Sequence, residues 1–341
     1  MGLFSKLGRN FAILSLVFAF ASEAYATEWD VSLWGSRRAF TEHVEKLAEL
    51  VSERTNGEFK LNISYGGLSK NTKNLEGISN GAFEMAQFCA GYHPDKNPSI
   101  TVMELPFLGI SSLEEERRIS QALYAHPAVR EDLAQWNATP LMPSPLPQYN
   151  IIGVGDAPII LVDFLGLTVR ATGGIGSAMA TLEAMPRSLS ATEVEAALNE
   201  GRVKAVAFAP HAHMAFGTVR NAQWWTTNLN PGTVNCPVVV NSDALAALPD
   251  DHREVLLGAV DEALDHYVDH YYDVTMTAWG PTLDALGIER VTYTDREIRD
   301  FEAAVAEPVA QKWVRDNASR GLPAQELYDL VTGMIGGGDI N

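Results

Sequence analysis

The segment Asp163-Phe164-Leu165-Gly166-Leu167-Thr168-Val169-Arg170 carries the clearest chemical signal in the chain. Leu167 and Val169 alternate as one face of a strand, and Arg170 closes it. Glycines follow at positions 173, 174 and 176, and a helix is expected to begin near Ser177. An arginine at a strand end can hold a carboxylate through two parallel hydrogen bonds. Free backbone N–H groups at a helix start favour an anion in the same place. A structural salt bridge accounts for such an arginine equally well. A second pair is His211 and His213. A zinc site needs three or four ligands, and no acidic residue lies within six positions on either side of this pair. The two histidines therefore read as lining a cleft or facing solvent. His266 and His270 stand four residues apart beside Asp265, Asp269 and Asp273. That spacing can bind a metal, but a charged, solvated helix face explains it as well. The expectation is no metal and no cofactor. The motifs G-x-S-x-G, S-x-x-K, H-E-x-x-H and the P-loop Gly-Lys pair are missing, and Met179 stands where a dinucleotide fingerprint needs glycine. No enzymatic activity is expected.

The elements that position these residues belong to a chain of 341 residues, 46% hydrophobic and 20% charged, with formal net charge -18. That length suggests two domains. The apolar fraction excludes disorder as a description of the whole. The acidic balance argues against a nucleic-acid partner, which calls for clustered Lys and Arg. Residues 1–26 read as an export signal. Lys6 and Arg9 start it, an apolar run follows from Phe11 to Ala21, and Ala24-Tyr25-Ala26 is a small-x-small cleavage site. The run is too short to span a bilayer, which takes about 20 apolar residues. The mature chain is thus expected to be exported to an oxidising compartment. There Cys89 and Cys236 can pair or stay free.

Trp29, Val31 and Leu33 alternate as a strand, and Phe40 to Thr55 shows helical spacing of Phe40, Val44, Leu47, Leu50 and Val51. Strand, helix and strand follow at Phe59–Ile63, Thr72–Asn80 and Phe83–Cys89. Helices are expected at Leu113–Ala125, Val129–Asn137 and Ala191–Glu200, and strands at Tyr149–Val154, Leu167–Ala171, Val203–Ala209 and Val238–Asn241. Prolines crowd the stretch from Pro140 to Pro158, which reads as a crossing between domains. The segment 250–286 predicts one helix of roughly 50 Å, broken or kinked at Pro281. A last helix covers about Asp295 to Gly321.

The Asp163–Arg170 segment resembles the "D-L-x-G-L-K-[IV]-R" signature of the solute receptors of tripartite ATP-independent periplasmic (TRAP) transporters, of the dicarboxylate-receptor (DctP-like) type. Phe40–Gly57, Asn80–Ala86, Leu105-Pro106-Phe107-Leu108, Leu189–Gly201 and Asn241 with Leu248-Pro249 resemble further family stretches in the same order. The resemblance covers nearly the whole mature chain. It implies a helix-rich α/β, type II-like periplasmic binding-protein fold of two lobes that close over a ligand. Lobe I would hold 27–150 and 240–280, lobe II 151–239 and 281–330, with a long helix running along both. It implies that Arg170 clamps a ligand carboxylate, and that Trp34, Phe88, Tyr92, Tyr149 and Trp225 lie where the family's cleft is lined. His211, His213, Tyr149 or Asn235 would bond the rest of the ligand.

Where many family members carry a Glu or Asn after the glycine matched by Gly201, this chain has Ala207-Phe208-Ala209-Pro210. Phe208 in that place favours a monocarboxylate with an aromatic or hydrophobic part over a dicarboxylate. Arg37 and Arg38 either add positive charge at the cleft mouth or are solvated at a helix start. The implied partners are a small organic acid and the small and large TRAP membrane subunits, with the receptor itself a monomer. A sensory receptor for the same ligand class, and a periplasmic enzyme using His211 or His213 as base, are the other readings.

Overall fold

A computed structural model describes residues 26–336. The expected leader therefore lies outside the described residues except for Ala26. Two sheets organise the chain. The first uses β1 (Thr27–Leu33), β2 (Phe59–Tyr65), β3 (Met85–Gln87), β4 (Ala138–Met142) and, from far along the chain, β10 (Val238–Asn241). Its order is β2-β1-β3-β10-β4. β1 runs parallel to β2 and β3, and β10 is antiparallel to both its neighbours. The second sheet holds β5 (Asn150–Gly153), β6 (Thr168–Arg170), β7 (Met185–Arg187), β8 (Ala205–Phe208), β9 (Trp224–Thr226) and β11 (Glu289–Val291), in the order β11-β9-β5-β8-β6-β7. β5 is the antiparallel strand here. Each sheet is thus mixed, and each takes strands from separate stretches of chain.

Side-chain patterning explains these elements. Trp29, Val31 and Leu33 enter one core with Val44, Leu47, Leu50 and Val51 of helix α1 (Glu42–Arg54). The three consecutive valines of β10 are all buried, as a central strand covered on both faces requires. α2 (Asn74–Ser79) follows, and then α3 (Leu113–Ala125) begins at the residue the periodicity gives. Ser112 caps it by accepting from the Glu115 N–H at 3.1 Å. α4 (Pro127–Ala134) completes this half of the chain. On the second sheet lie α5 (Gly173–Thr181), α6 (Val194–Asn199) and α7 (Pro210–Ala215). α5 starts at Gly173 rather than near Ser177, because its first turn packs directly on Glu104. A Cβ at Gly174 would stand 1.9 Å from the Glu104 carbonyl oxygen, so only glycine fits.

The chain returns through β10 to α8 (Ser242–Ala247), α9 (Asp250–Gly258) and α10 (Val260–His270). A π-helical turn over Tyr271–Met276 then leads into α11 (Thr277–Ala285). The expected single helix is therefore segmented, and its irregularities fall at Ala259 and at the π turn, not at Pro281. Proline removes the N–H that would close on Thr277 and crowds that carbonyl. The wider turn just upstream absorbs this without a break. α12 (Asp295–Ala318) opens with a Thr294–Glu297 capping box and spans both cores: Phe301 and Val305 enter one, Ala310 the other. α13 (Ala324–Met334) escaped the sequence reading. Its Leu327 and Val331 pack with Ile119 and Leu123 of α3, so the end of the chain joins the first-sheet side and not lobe II as expected. Among the described residues no helix is long and apolar enough to cross a membrane.

Candidate functional site

β6 is three residues long and lies between β7 and β8, so its last residue is delivered to the core. Arg170 is only 2% exposed. Its Nε and Nη2 donate to the Leu189 carbonyl at 3.1 and 2.9 Å, Nη1 to the Ala207 carbonyl at 3.1 Å, and Nη2 also to the Tyr92 hydroxyl at 3.2 Å. The guanidinium carbon stands 4.3 Å from the centre of the Phe208 ring. Every one of these partners is neutral, and among the described residues no carboxylate forms an ion pair with Arg170. A buried cation without a counter-ion is costly.

Tyr92 comes from the short turn after β3, on the first-sheet side. Its hydroxyl accepts from Arg170 and from the Ala191 N–H at 3.1 Å. Both lone pairs of a phenol are then used, and its O–H proton is left to donate. A second guanidinium faces the same space. Arg38 donates from Nη1 to the Trp34 and Ser36 carbonyls at 2.7 and 2.8 Å. It lies over the rings of Trp34, Phe40 and Phe216 at 5.6, 5.2 and 5.2 Å. Burial pushes its pKa down to about 10, which leaves it charged at neutral pH. The Nε of Arg38 has no partner among the described residues. Arg37 is the solvated one of the two, paired with Glu42.

These groups surround a small cavity. Trp34, Phe40, Tyr149, Phe208 and Phe216 supply most of its aromatic wall, with Leu146, Thr172, His211 and both cysteines completing it. His211 sits on α7 and not in a loop. It stacks on Phe40 with rings 5.1 Å apart and bonds the Tyr271 hydroxyl through Nδ1 at 2.8 Å. Burial pushes its pKa well below the ordinary value, so the imidazole is neutral. Cys89 and Cys236 are joined as a disulfide, which decides the alternative left open by the sequence.

Of the residues expected at the site, Arg170, Trp34, Tyr92, Tyr149, Phe208 and His211 come together. Phe88, Trp225 and Asn235 do not. Phe88 is fully buried in the core under β3, because it alternates to the face opposite Cys89. Trp225 packs edge-on to Trp279 with rings 5.8 Å apart and borders a different groove. Asn235 lies behind the wall, accepting from Tyr124 at 2.6 Å and donating to Ser120 at 3.1 Å; its backbone N–H donates to Glu104 at 3.1 Å. Burial raises Glu104 to about 7 and Glu116 to about 8 in the same region. His213 also stays out of the cavity. Its Nε2–H donates to the Asn150 carbonyl at 3.2 Å, and its ring stacks on Trp279. Phe40 and Phe216 are aromatic lining residues that sequence reasoning did not assign, and Arg38 takes the cleft side of the two placements left open for it. Phe40 was read as part of a helix face, and nothing local marks Phe216.

Residues 31–316 match the bacterial extracellular solute-binding protein family 7 (DctP). The chain belongs to that family. Its members are extracytoplasmic solute receptors, a binding family and not a catalytic one. Among curated proteins, the outer membrane transporter protein TsaT of Comamonas testosteroni is 23% identical over 304 residues, covering 84% of this chain and 85% of that protein. Among solved structures, a TRAP solute-binding protein specific for aromatic acid ligands, from an unidentified marine microbe, was determined with metahydroxyphenylacetate. It superposes with a TM-score of 0.82 at 20% identity, covering 91% of this chain and 98% of that one. A TRAP solute-binding protein of Desulfovibrio salexigens with bound orotic acid gives 0.81 at 17% identity, covering 90% and 99%. These structural likenesses bear on the fold, which is the two-lobed α/β receptor expected.

Proposed function

We propose that this chain is the extracytoplasmic receptor of a TRAP transporter for a small monocarboxylate with an aromatic body. The observation that carries this reading is Arg170: buried, bonded only to neutral groups, stacked on Phe208, and facing an aromatic-walled cavity. The ligand supplies the missing negative charge. Its carboxylate accepts from the one N–H of Arg170 left uncommitted, on Nη1, and from the free O–H of Tyr92. Its ring packs among Trp34, Tyr149 and Phe208. The metahydroxyphenylacetate and orotic acid bound in two of the similar structures each combine a flat ring with a carboxylate.

A second reading follows from Arg38. Its unpartnered Nε suits a hydroxyl or a second carboxylate on the same ring. In this account residues 1–26 are cleaved on export, the receptor works as a monomer in the periplasm, and it catalyses nothing. It hands its ligand to the small and large TRAP membrane subunits; presenting the same ligand to a signalling protein would use the same cleft.

A thermal-shift panel tests both readings. It compares aromatic monocarboxylates, their hydroxy derivatives, aromatic dicarboxylates and the matching amides. A ligand at 100 times its Kd adds about 2.7 kcal/mol of stability. Acids should raise the melting temperature and amides should not. Larger shifts from the dicarboxylates select the second reading. Shifts from the amides as large as those from the acids would remove both.

A further inference from the structure

On the outer side of the α1–α10 packing, three side chains from distant parts of the sequence converge. Glu42 opens α1, and His266 and His270 lie one turn apart on α10. One ligand atom from each lies within 4.8 Å of the others. The two imidazole rings are 5.9 Å apart, tilted by 37°. Among the described residues neither imidazole makes a hydrogen bond, so their nitrogen lone pairs are free to coordinate. The Glu42 carboxylate is buried and held by Arg37, whose Nε and Nη2 donate to its two oxygens at 2.8 and 2.7 Å. Arg37 is itself 60% exposed, so this pair is screened by solvent.

We propose that Glu42, His266 and His270 form a binding site for one borderline-soft divalent cation, best fitted by Zn2+. Two neutral imidazoles and a carboxylate are a donor set that zinc takes with a water in the fourth position. Its bonds of about 2.0–2.2 Å would space tetrahedral ligands roughly 3.3 Å apart. Closing from 4.8 Å needs only side-chain rotations. Arg37 then has the role of an outer partner that orients the ligating carboxylate. Sequence spacing offered the two histidines but not the third ligand, which is more than 200 positions away and reaches them only through the packing of α1 on α10. This site is separate from the carboxylate cavity and does not depend on what that cavity binds.

The test titrates ZnCl2 into protein purified without a histidine tag and stripped with a chelator, against a chromophoric competitor. One equivalent should bind saturably and raise the melting temperature. His266→Ala and His270→Ala should each weaken binding by at least about tenfold, while melting in chelator stays as in the parent. Glu42→Gln should also weaken it. No saturable binding would overturn the proposal. So would binding unchanged in the His266→Ala/His270→Ala double variant, since that would place the metal elsewhere.

Discussion

Replacing Arg170 separates binding from folding, because the two depend on different consequences of its charge. In Arg170→Met the ligand loses its counter-charge. Truncating one partner of a buried, hydrogen-bonded charge pair costs about 2–5 kcal/mol. At about 1.4 kcal/mol per decade, this is roughly a 30- to 4,000-fold rise in Kd. Stability should move little. The variant gives up bonds to Leu189, Ala207 and Tyr92, but it also removes a buried charge that no described carboxylate neutralises. Apolar replacement of a buried charge is often neutral or stabilising. Arg170→Lys should fall between, keeping charge but losing the planar two-bond fork. Calorimetric titration with the best acid from the panel gives Kd, and a thermal melt without ligand gives stability. An Arg170→Met protein that binds the acid within threefold of the parent would refute the reasoning. A melt lowered as far as binding would reduce Arg170 to a structural role.

Tyr92→Phe removes the proton offered to the ligand, and the acceptor for Arg170 and the Ala191 N–H, while keeping the ring; calorimetry should show a loss on the order of 1 kcal/mol, about fivefold in Kd, and the melt without ligand should also fall. Reducing Cys89–Cys236, which closes a long loop, should cost about 2–5 kcal/mol, read as a lower denaturation midpoint with reductant than without. Glu116 has its folded pKa raised by burial to about 8, above the unfolded value of about 4.3. Its contribution is complete below the unfolded value and is lost as pH rises towards 8. Glu116→Gln should therefore flatten the fall in melting temperature between pH 5 and 8; a profile parallel to the parent's would show that the folded carboxyl ionises normally. The buried histidines 43 and 213, lowered by burial to about 3, act in the opposite sense. Their contribution is complete above about 6.5 and fades as pH falls, so melting temperature should also drop on acidification below 6.

What the sequence made legible was local. The alternation in Thr27–Leu33 and the helical spacing of Leu113–Ala125 belong to segments whose buried faces pack on one core, and they stand where expected. β4, β7, β9 and β11 escaped. They are short, and only tertiary pairing distinguishes them from loop. α13 follows a proline and carries its apolar stripe against α3, a contact no local pattern announces. At the site, Arg170 was legible because strand end, glycines and helix start converge there. Arg38 was legible only as one of two alternatives: whether it is solvated or faces the cleft is set by whether Trp34, Phe40 and Phe216 fold around it, and Phe216 comes from far along the chain. Phe88 and Asn235 show the converse. Being next to a lining residue on a strand or turn puts a side chain on the other face, so Asn235 lies behind the wall that Val234 and Cys236 complete.

The most direct test of the central claim is a crystal structure of the protein with the aromatic acid that stabilises it most. The account predicts the carboxylate within hydrogen-bond distance of the Arg170 guanidinium and the Tyr92 hydroxyl, with the ring against Phe208 and Trp34. A carboxylate directed to solvent, or a ligand seated outside this cavity with Arg170 still bonded only to neutral groups, would contradict it.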